Sequence, residues 1–546
     1  MGGLSMREFE MIDDLAGELT ALDFERDPLR ASLLGLPGAH DKLPDPSAAA
    51  EQRFRACYLD LAERAERAEG DPVTRGVVVG QARAVIDLLD SRLPEFAVSD
   101  AFAAPVQVVL LTLPSITLDD AERARGFLAR LAAIPSFVDA VIERQRGEPA
   151  PPDFLVDAAI TYFDRHLGDP ANDPLRLGPD EAERDRLLAE VVRPAIARYR
   201  DFLATEVKPR ALPSDRPGMC WQPGGAERYD MLIRAHTTTS RDARELHETG
   251  LGLIKALAAE YRELGSRVFA TTGLAEIFDR LRTDPALRWE SAEELLDSAR
   301  AAIRNAEAVA PQWFLTLPEQ KCEVRPVPPA EAEVGTIAYY VEPALDGSRP
   351  GVYYANTFRA EERFRQTSEA IAFHEAVPGH HFQLSLALGL AELPLLRRIA
   401  EINAYTEGWG LYAERLADEM GLYSGDLARL GMLAQDSMRA GRLVVDTGLH
   451  ALGWSRQQAV DFLRENTPMA PLEIEAEVDR YAGCPGQALS YMVGRLEIQR
   501  LRAEAERALG DAFDIREFHD VVLGNGIVPL SVLDAVVGDW VHRRVG

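Results

Sequence analysis

Apolar residues recur every three to four positions along most of this 546-residue chain. That spacing predicts amphipathic helices, because residues three and four apart share one helix face. Helix starts are indicated at Thr117 and Ser291, each followed three residues later by an acidic residue and then by an apolar run. Further helices are predicted over residues 48–68, 181–205, 240–264, 365–376, 394–419, 426–450, 455–465, 484–508 and 514–523. The pattern therefore predicts a mostly α-helical protein.

Two short segments depart from the helical pattern. Residues 335–341 and 351–356 are rich in β-branched and aromatic side chains and flank a turn that contains Asp346 and Gly347, so they predict a small antiparallel β-hairpin. A free strand edge there could bind an extended peptide through main-chain hydrogen bonds, with Asn356 as a substrate-binding side chain. The alternative is a hairpin that only covers the core.

A segment rich in proline and glycine, residues 210–225, predicts a boundary within the chain. It separates an amino-terminal helical region, residues 1–210, from a catalytic helical region, residues 211–546. A chain of this length can also fold as one continuous two-lobed body.

The formal net charge of −28 disfavours nucleic acid and anionic membranes as partners, because both are negatively charged. Residues 1–22 are acidic and contain no long apolar run, and no stretch of the chain is apolar for the roughly 20 residues that span a bilayer. The four cysteines lie far apart, which argues against a disulfide framework. These features predict a cytoplasmic protein and leave its oligomeric state open.

The most informative motif is the octet His-Glu-Ala-Val-Pro-Gly-His-His, which runs from His374 to His381. It is similar to the zinc signature His-Glu-x-x-His, but its second histidine comes six or seven residues after the first. On a straight helix that separation is roughly 9 to 10.5 Å, too far for two Zn–N bonds of about 2.0–2.1 Å. Either the helix is deformed or the motif does not bind metal.

Pro378 favours a deformed helix, because its ring collides with the carbonyl group of His374. Gly379 gives the chain the freedom to loop out the surplus residues. Looping out two residues brings back His380, and looping out three brings back His381. We expect His380 to be the ligand and His381 to make a supporting hydrogen bond or to bind substrate. Two surface histidines beside an ordinary helix break are the alternative.

A hydrolytic zinc site needs a third protein ligand, and Glu407 is the candidate. It lies on the next long predicted helix, where Gly408 and Gly410 leave room for close approach. Glu414 is a supporting residue or an alternative ligand. The expected cofactor is Zn²⁺, although another divalent transition metal is also compatible. Glu375, adjacent to the first histidine, is the expected general base.

The carboxy-terminal third offers further candidates. Tyr491, with Tyr481 as the alternative, is expected to stabilise the oxyanion, and Arg480 is a candidate substrate-binding residue. Arg442, Asp446 and His450 follow one another at four-residue steps and share one helix face. This face is either a cleft wall, with His450 catalytic and Arg442 binding substrate, or an ion-pair face.

The chain resembles the bacterial domain-of-unknown-function 885 family (DUF885), whose His-Glu-x-x-Pro-Gly-His-His motif matches the octet. Other matching segments lie at residues 351–356, 406–412, 446–454, 485–491 and 527–530. The resemblance implies a helical, zincin-like metal hydrolase, distantly similar to the neurolysin, angiotensin-converting enzyme and Taq carboxypeptidase folds. Those folds place a glutamate ligand some two dozen residues after the second histidine, which agrees with Glu407.

These residues together predict a zinc-dependent hydrolase of peptide or amide bonds that acts on short peptides. A hydrolase of a small non-peptide amide, ester or biosynthetic intermediate would use the same residues. A non-catalytic helical scaffold that binds a partner is the alternative from another class.

Overall fold

A computed structural model of the protein describes residues 10–100, 102–328, 332, 337–345, 347 and 349–545. The described chain is mostly helical, as predicted. Its α-helices before the sheet are Ile12–Arg26, Pro28–Leu33, Ala48–Ala65, Pro72–Asp90, Leu93–Phe96, Pro105–Thr112, Ala121–Gln145, Asp153–Gly168, Glu181–Leu187, Arg193–Phe202, Gly225–Thr237, Ala243–Val268, Leu274–Thr283 and Ala292–Val309. Those after it are Ser368–Glu375, His380–Gly389, Leu395–Ile399, Asn403–Glu419, Asp426–His450, Arg456–Asn466, Pro471–Gly483, Ser490–Leu509, Ile515–Leu523 and Leu530–Val545.

Local differences from the predicted helices have local causes. The helix predicted over residues 394–419 is two helices, Leu395–Ile399 and Asn403–Glu419. The Ser291 cap is confirmed, since its hydroxyl accepts the Glu294 N–H at 3.2 Å. At the other predicted start the cap is not Thr117 but Asp120, the residue directly before the helix, whose carboxylate accepts the Arg123 N–H at 2.7 Å.

The predicted hairpin is present and belongs to a three-stranded mixed sheet. Strands β1 (Glu323–Pro326), β2 (Ala338–Val341) and β3 (Val352–Ala355) lie in the order β1-β3-β2. The β2–β3 pair is antiparallel, as predicted, and β1 is an additional strand that pairs parallel to β3. Both edges of β3 are therefore occupied. Residues 335, 336 and Asp346 of the predicted hairpin lie outside the described residues.

Two buried hydrophobic clusters form the core. The first includes side chains from Ile12 to Ala104 and from Met219 to Trp540, and the second joins residues between Leu29 and Val207 to residues between Met438 and Ala488. Both clusters contain residues from either side of the segment 210–225, where the domain boundary stays a prediction. None of the described helices is long and apolar enough to cross a membrane.

Two helices around the octet approach each other backbone to backbone. A Cβ atom on Gly408 would lie 2.5 Å from the Gly494 backbone, and one on Gly494 would lie 1.7 Å from the Ala404 carbonyl oxygen. Only glycine fits at such a contact. It brings the helix Asn403–Glu419, which carries Glu407, against the helix Ser490–Leu509, which carries Tyr491.

Candidate metal centre

The octet is a broken helix. The first histidine helix (Ser368–Glu375) ends directly after His374, and the second histidine helix (His380–Gly389) begins after four intervening residues. Gly379 has a φ of −81°, so the break needs glycine for its lack of a side chain: a Cβ atom would lie 1.9 Å from the His374 carbonyl oxygen. The indole Nε1 of Trp409 donates to the Pro378 carbonyl oxygen at 2.8 Å and anchors the break to the neighbouring helix.

The break brings His374 and His380 together with Glu407 on the carboxylate helix (Asn403–Glu419). The two imidazole rings are edge to face, with centroids 4.6 Å apart. Nε2 of His374 lies 3.5 Å from Oε2 of Glu407, and Nε2 of His380 lies 3.3 Å from the same oxygen. One ligand atom from each residue lies within 4.8 Å of the other two. Residues from the two histidine helices and from the carboxylate helix thus face one point.

The dimensions of this cluster fit a zinc ion. A tetrahedral ion with bonds of about 2.0–2.1 Å holds its ligand atoms about 3.3 Å apart. Both His–Glu separations match that value, and both are longer than a normal N–H···O hydrogen bond. The Nδ1 atom of His380 is buried and has no hydrogen-bond partner among the described residues. The donor set of two imidazoles and one carboxylate is one that zinc favours.

The cluster is buried on the histidine side and open on the glutamate side. The side chains of His374 and His380 are 4% and 9% exposed, whereas that of Glu407 is 23% exposed. Burial favours neutral His374, but the nearby carboxylates of Glu407 and Glu414 outweigh burial and raise its pKa to about 9. Burial opposes the ionisation of Glu407, yet the two histidines hold its pKa well below the ordinary value. Two carboxylates therefore stabilise positive charge at this point.

Glu414 supports His374 from behind. Its Oε1 atom lies 2.8 Å from Nδ1 of His374, which fixes the ring orientation and leaves Nε2 facing Glu407. The Tyr423 hydroxyl donates to the Glu414 backbone carbonyl at 3.0 Å. Of the two roles considered for Glu414, the geometry favours that of a supporting residue.

His381 faces away from the cluster. Its Nδ1 atom lies 3.0 Å from the Tyr340 hydroxyl on β2, and its Nε2 atom lies 2.9 Å from the Gln320 carbonyl oxygen. Burial lowers the pKa of His381. One ring nitrogen contacts β2 and the other contacts the segment before β1, so both are used outside the cluster, and the histidine that joins His374 is His380.

Glu375 is half-buried at the end of the first histidine helix. Its charge acts on two residues that sequence reasoning did not select, Tyr353 and Cys322. Burial and then the charge of Glu375 raise the pKa of Tyr353, and burial together with nearby carboxylates, Glu375 among them, raises that of Cys322 to about 12. Tyr353 and Tyr354 are adjacent in a predicted strand, so their side chains point to opposite faces of the sheet. That alternation was the available sequence signal for Tyr353. No sequence signal pointed to Cys322.

Tyr491 lies near the carboxylate of the cluster. Burial and then the negative charge of Glu407 raise the pKa of the Tyr491 phenol. The guanidinium carbon of Arg442 lies 4.5 Å from the centre of the Tyr491 ring. The second candidate arginine, Arg480, donates to Gln487 at 2.8 Å and to Glu477 at 3.3 Å. The tyrosine and both arginines thus belong to one contiguous group of side chains.

His450 and Asn356 are not brought to the cluster. Nδ1 of His450 accepts the Met219 N–H at 3.2 Å, and its Nε2 lies 2.9 Å from the Tyr481 carbonyl oxygen. Burial lowers the pKa of His450 to about 4, so the neutral ring is held by two backbone groups and has no nitrogen left for proton transfer. The Asn356 amide is buried and donates to the Ala332 carbonyl oxygen at 2.8 Å. These contacts give both residues a structural role.

The fold and this cluster define a helical protein with a candidate metal centre across a broken helix. The family described as "Bacterial protein of unknown function (DUF885)" matches residues 28–537, and the chain belongs to that family. No curated protein matches the chain.

Solved structures with a similar fold include two described as putative lipoproteins. The putative lipoprotein from Colwellia psychrerythraea is 28% identical, with a TM-score of 0.90 over 97% of this chain and 99% of that chain. A putative lipoprotein of unknown function from Shewanella oneidensis is 18% identical, with a TM-score of 0.74 over 96% of this chain and 99% of that chain. The second likeness shows the fold alone.

The expectation of a cytoplasmic protein is wrong, because it conflicts with the description of the Colwellia psychrerythraea protein as a putative lipoprotein. That expectation rested on the lack of a long apolar run in residues 1–22. Such an absence does not locate a protein, and residues 1–9 lie outside the described residues.

Proposed function

We propose that this protein is a zinc-dependent hydrolase of peptide or amide bonds with a zincin-like fold, and that short peptides are its substrates. The observation that carries the proposal is the meeting of His374, His380 and Glu407 at separations of 3.3 and 3.5 Å across a broken helix. These separations are close to the distance of about 3.3 Å between two ligand atoms of a tetrahedral zinc site. The partial exposure of Glu407 supports access of water and substrate to the three residues.

When bound, zinc lowers the pKa of a coordinated water toward about 7 and polarises the scissile carbonyl. Glu375 would take a proton from the attacking water and deliver it to the leaving amine. Its place next to His374 on the same helix end supports this role. Tyr491 would donate a hydrogen bond to the carbonyl oxygen as negative charge develops there. Glu414 would keep the His374 ring oriented throughout.

Metal content tests the centre directly. Protein freed of metal with a chelator and then supplied with one equivalent of Zn²⁺ is expected to bind it tightly. The variants His374→Ala, His380→Ala and Glu407→Ala are each expected to lose tight binding. His381→Asn is the matched control, because His381 belongs to the same octet but is hydrogen bonded to the sheet side. Wild-type protein that does not retain zinc contradicts the proposal.

Activity tests the chemistry separately. Zinc-loaded protein is incubated with a mixture of short peptides, and the products are identified by mass spectrometry. Glu375→Gln should retain zinc and lose cleavage, since it keeps the shape of the side chain but cannot act as a base. The wild-type protein could instead bind zinc and hydrolyse small amides or esters but cleave no peptide. That result would replace the peptide in the proposal by a small amide or ester and would leave the proposed metal centre unchanged.

A further inference from the structure

Two arginines converge on one carboxylate oxygen next to the proposed oxyanion donor. Oε2 of Glu477 accepts hydrogen bonds from Nη2 of Arg442 at 2.9 Å, from Nη2 of Arg480 at 3.3 Å and from the Tyr481 hydroxyl at 2.5 Å. Nε of Arg442 adds a further bond to this oxygen at 3.2 Å. We call Arg442 and Arg480 the arginine pair.

The charge of the arginine pair exceeds that of its partner. Two guanidinium groups share the single negative charge of Glu477. Asp446 also interacts with the charge of Arg480, but burial raises its pKa to about 7, so near neutral pH it offsets the remaining positive charge only in part. Glu473 and Arg439 are also nearby, but they are opposite in charge and add no net charge when both are ionised. Nη1 of Arg442 is buried and has no hydrogen-bond partner among the described residues. Arg442 is already paired with Glu477, but a buried N–H group without an acceptor is costly, so this donor is available to an acceptor on a ligand.

The arginine pair is also reachable and adjoins the candidate centre. The side chains of Arg480 and Glu477 are each 19% exposed, while that of Arg442 is 6% exposed. Arg442 stacks on the Tyr491 ring at 4.5 Å, and the phenol of Tyr491 lies in the field of Glu407. Tyr491 is thus the shared neighbour of the arginine pair and the metal cluster. Local positive charge matters here, because the chain carries a net charge of −28 and would otherwise repel an anionic substrate.

We propose that the arginine pair binds a carboxylate of the substrate, so that the protein selects peptides with a free carboxyl terminus near the scissile bond. Guanidinium groups are well suited to this role, because their planar donors match the two oxygens of a carboxylate. The proposal rests on the proposed function for the metal centre. An acidic side chain carries the same chemical group as a carboxyl terminus, so the two sources must be distinguished by experiment.

The test measures binding and not turnover. The inactive Glu375→Gln protein, both zinc-loaded and metal-free, is titrated by calorimetry with three acetylated, alanine-rich hexapeptides. The first ends in a free carboxylate, the second is its carboxyl-terminal amide, and the third is an amide with Asp as its last residue. We expect the free acid to bind at least about tenfold more tightly than the plain amide, in keeping with hydrogen bonds to charged groups. Adding Arg480→Gln should reduce that preference to about threefold or less.

Arg456→Gln is the matched control, because Arg456 is an ion-paired arginine of similar exposure, 22%, that binds Asp479 instead of Glu477. It should leave the preference unchanged. Equal binding of the acid and the plain amide overturns the proposal, and so does a preference that survives Arg480→Gln. Tighter binding of the Asp amide than of the free acid overturns the choice of carboxyl terminus. Failure of the proposed function is a separate result, since the wild-type protein would then not bind zinc or would not cleave peptides.

Discussion

Gly410 lies against the imidazole ring of His374. A Cβ atom on Gly410 would lie 2.8 Å from Cε1 and 3.0 Å from Nε2 of His374, and 3.0 Å from Cε1 of His380. The carboxylate helix can approach both histidines only because this position has no side chain. The glycine is therefore part of the candidate metal centre, although it offers no ligand atom.

Gly410→Ala is expected to displace the His374 ring and to lower zinc affinity at least about tenfold, because ligands must be held close to their ideal positions. The measurement is competition with a chromophoric chelator. Gly252→Ala is the control, since Gly252 is also helical but has nothing within 4 Å of its added Cβ atom. Unchanged zinc affinity in Gly410→Ala would show that the rings tolerate the contact.

Glu414→Gln removes the negative charge behind His374 and keeps a hydrogen-bonding group of the same size. We expect zinc affinity to fall about 10- to 100-fold, the usual cost of losing a group that orients a ligand. Glu419→Gln provides the comparison, because Glu419 lies on the same helix but pairs with Arg502 at the surface. Equal zinc affinities in the two variants would contradict the supporting role of Glu414.

Tyr491→Phe is expected to reduce kcat by about 10²- to 10³-fold, the cost of removing one oxyanion donor. Zinc content should stay at the wild-type level, since Tyr491 is not among the three residues of the cluster. Tyr199→Phe is a control for loss of a buried hydroxyl, because Tyr199 belongs to the second hydrophobic cluster and its hydroxyl donates to Gln145. A kcat of Tyr491→Phe within twofold of wild type would remove Tyr491 from the site.

The buried carboxyl group of Asp446 should make the stability of the protein depend on pH. Burial raises its pKa from 3.8 to about 7, although it accepts hydrogen bonds from Tyr229 and from the Gly486 N–H. A carboxyl group whose pKa is raised on folding binds more protons in the folded state. Its contribution is therefore complete below about pH 4 and is lost as the pH rises toward and through 7.

Asp446→Asn should remove this dependence. When the pH rises from 5 to 8, the free energy of unfolding of the variant should fall less than that of the wild type, by on the order of 1 to 3 kcal/mol. Urea unfolding of both proteins at the two pH values measures the difference. An equal change in both proteins would show that Asp446 does not titrate in this range.

Local sequence was sufficient for most helices and for the hairpin, because the period of apolar residues depends only on neighbours along the chain. It was insufficient for β1, a four-residue strand with a polar sequence that is defined only by parallel pairing with β3. It also did not indicate the division of the helix predicted over residues 394–419, since tertiary contacts override helix propensity. His450 was selected because it is a polar residue on an amphipathic helix face. Its structural role could not be predicted from local sequence, because its hydrogen bonds to Met219 and Tyr481 join residues far apart in the chain.

The octet itself encodes the residue types of the centre and the break between its histidines, because Pro378 and Gly379 act on the adjacent backbone. Which histidine and which glutamate meet is a different matter. It depends on the rotation of the second histidine helix and on how closely the carboxylate helix approaches through Gly410. Those quantities follow from packing between segments far apart in the chain. Tertiary structure therefore decided that His380 and Glu407, and not His381 or Glu414, complete the cluster with His374.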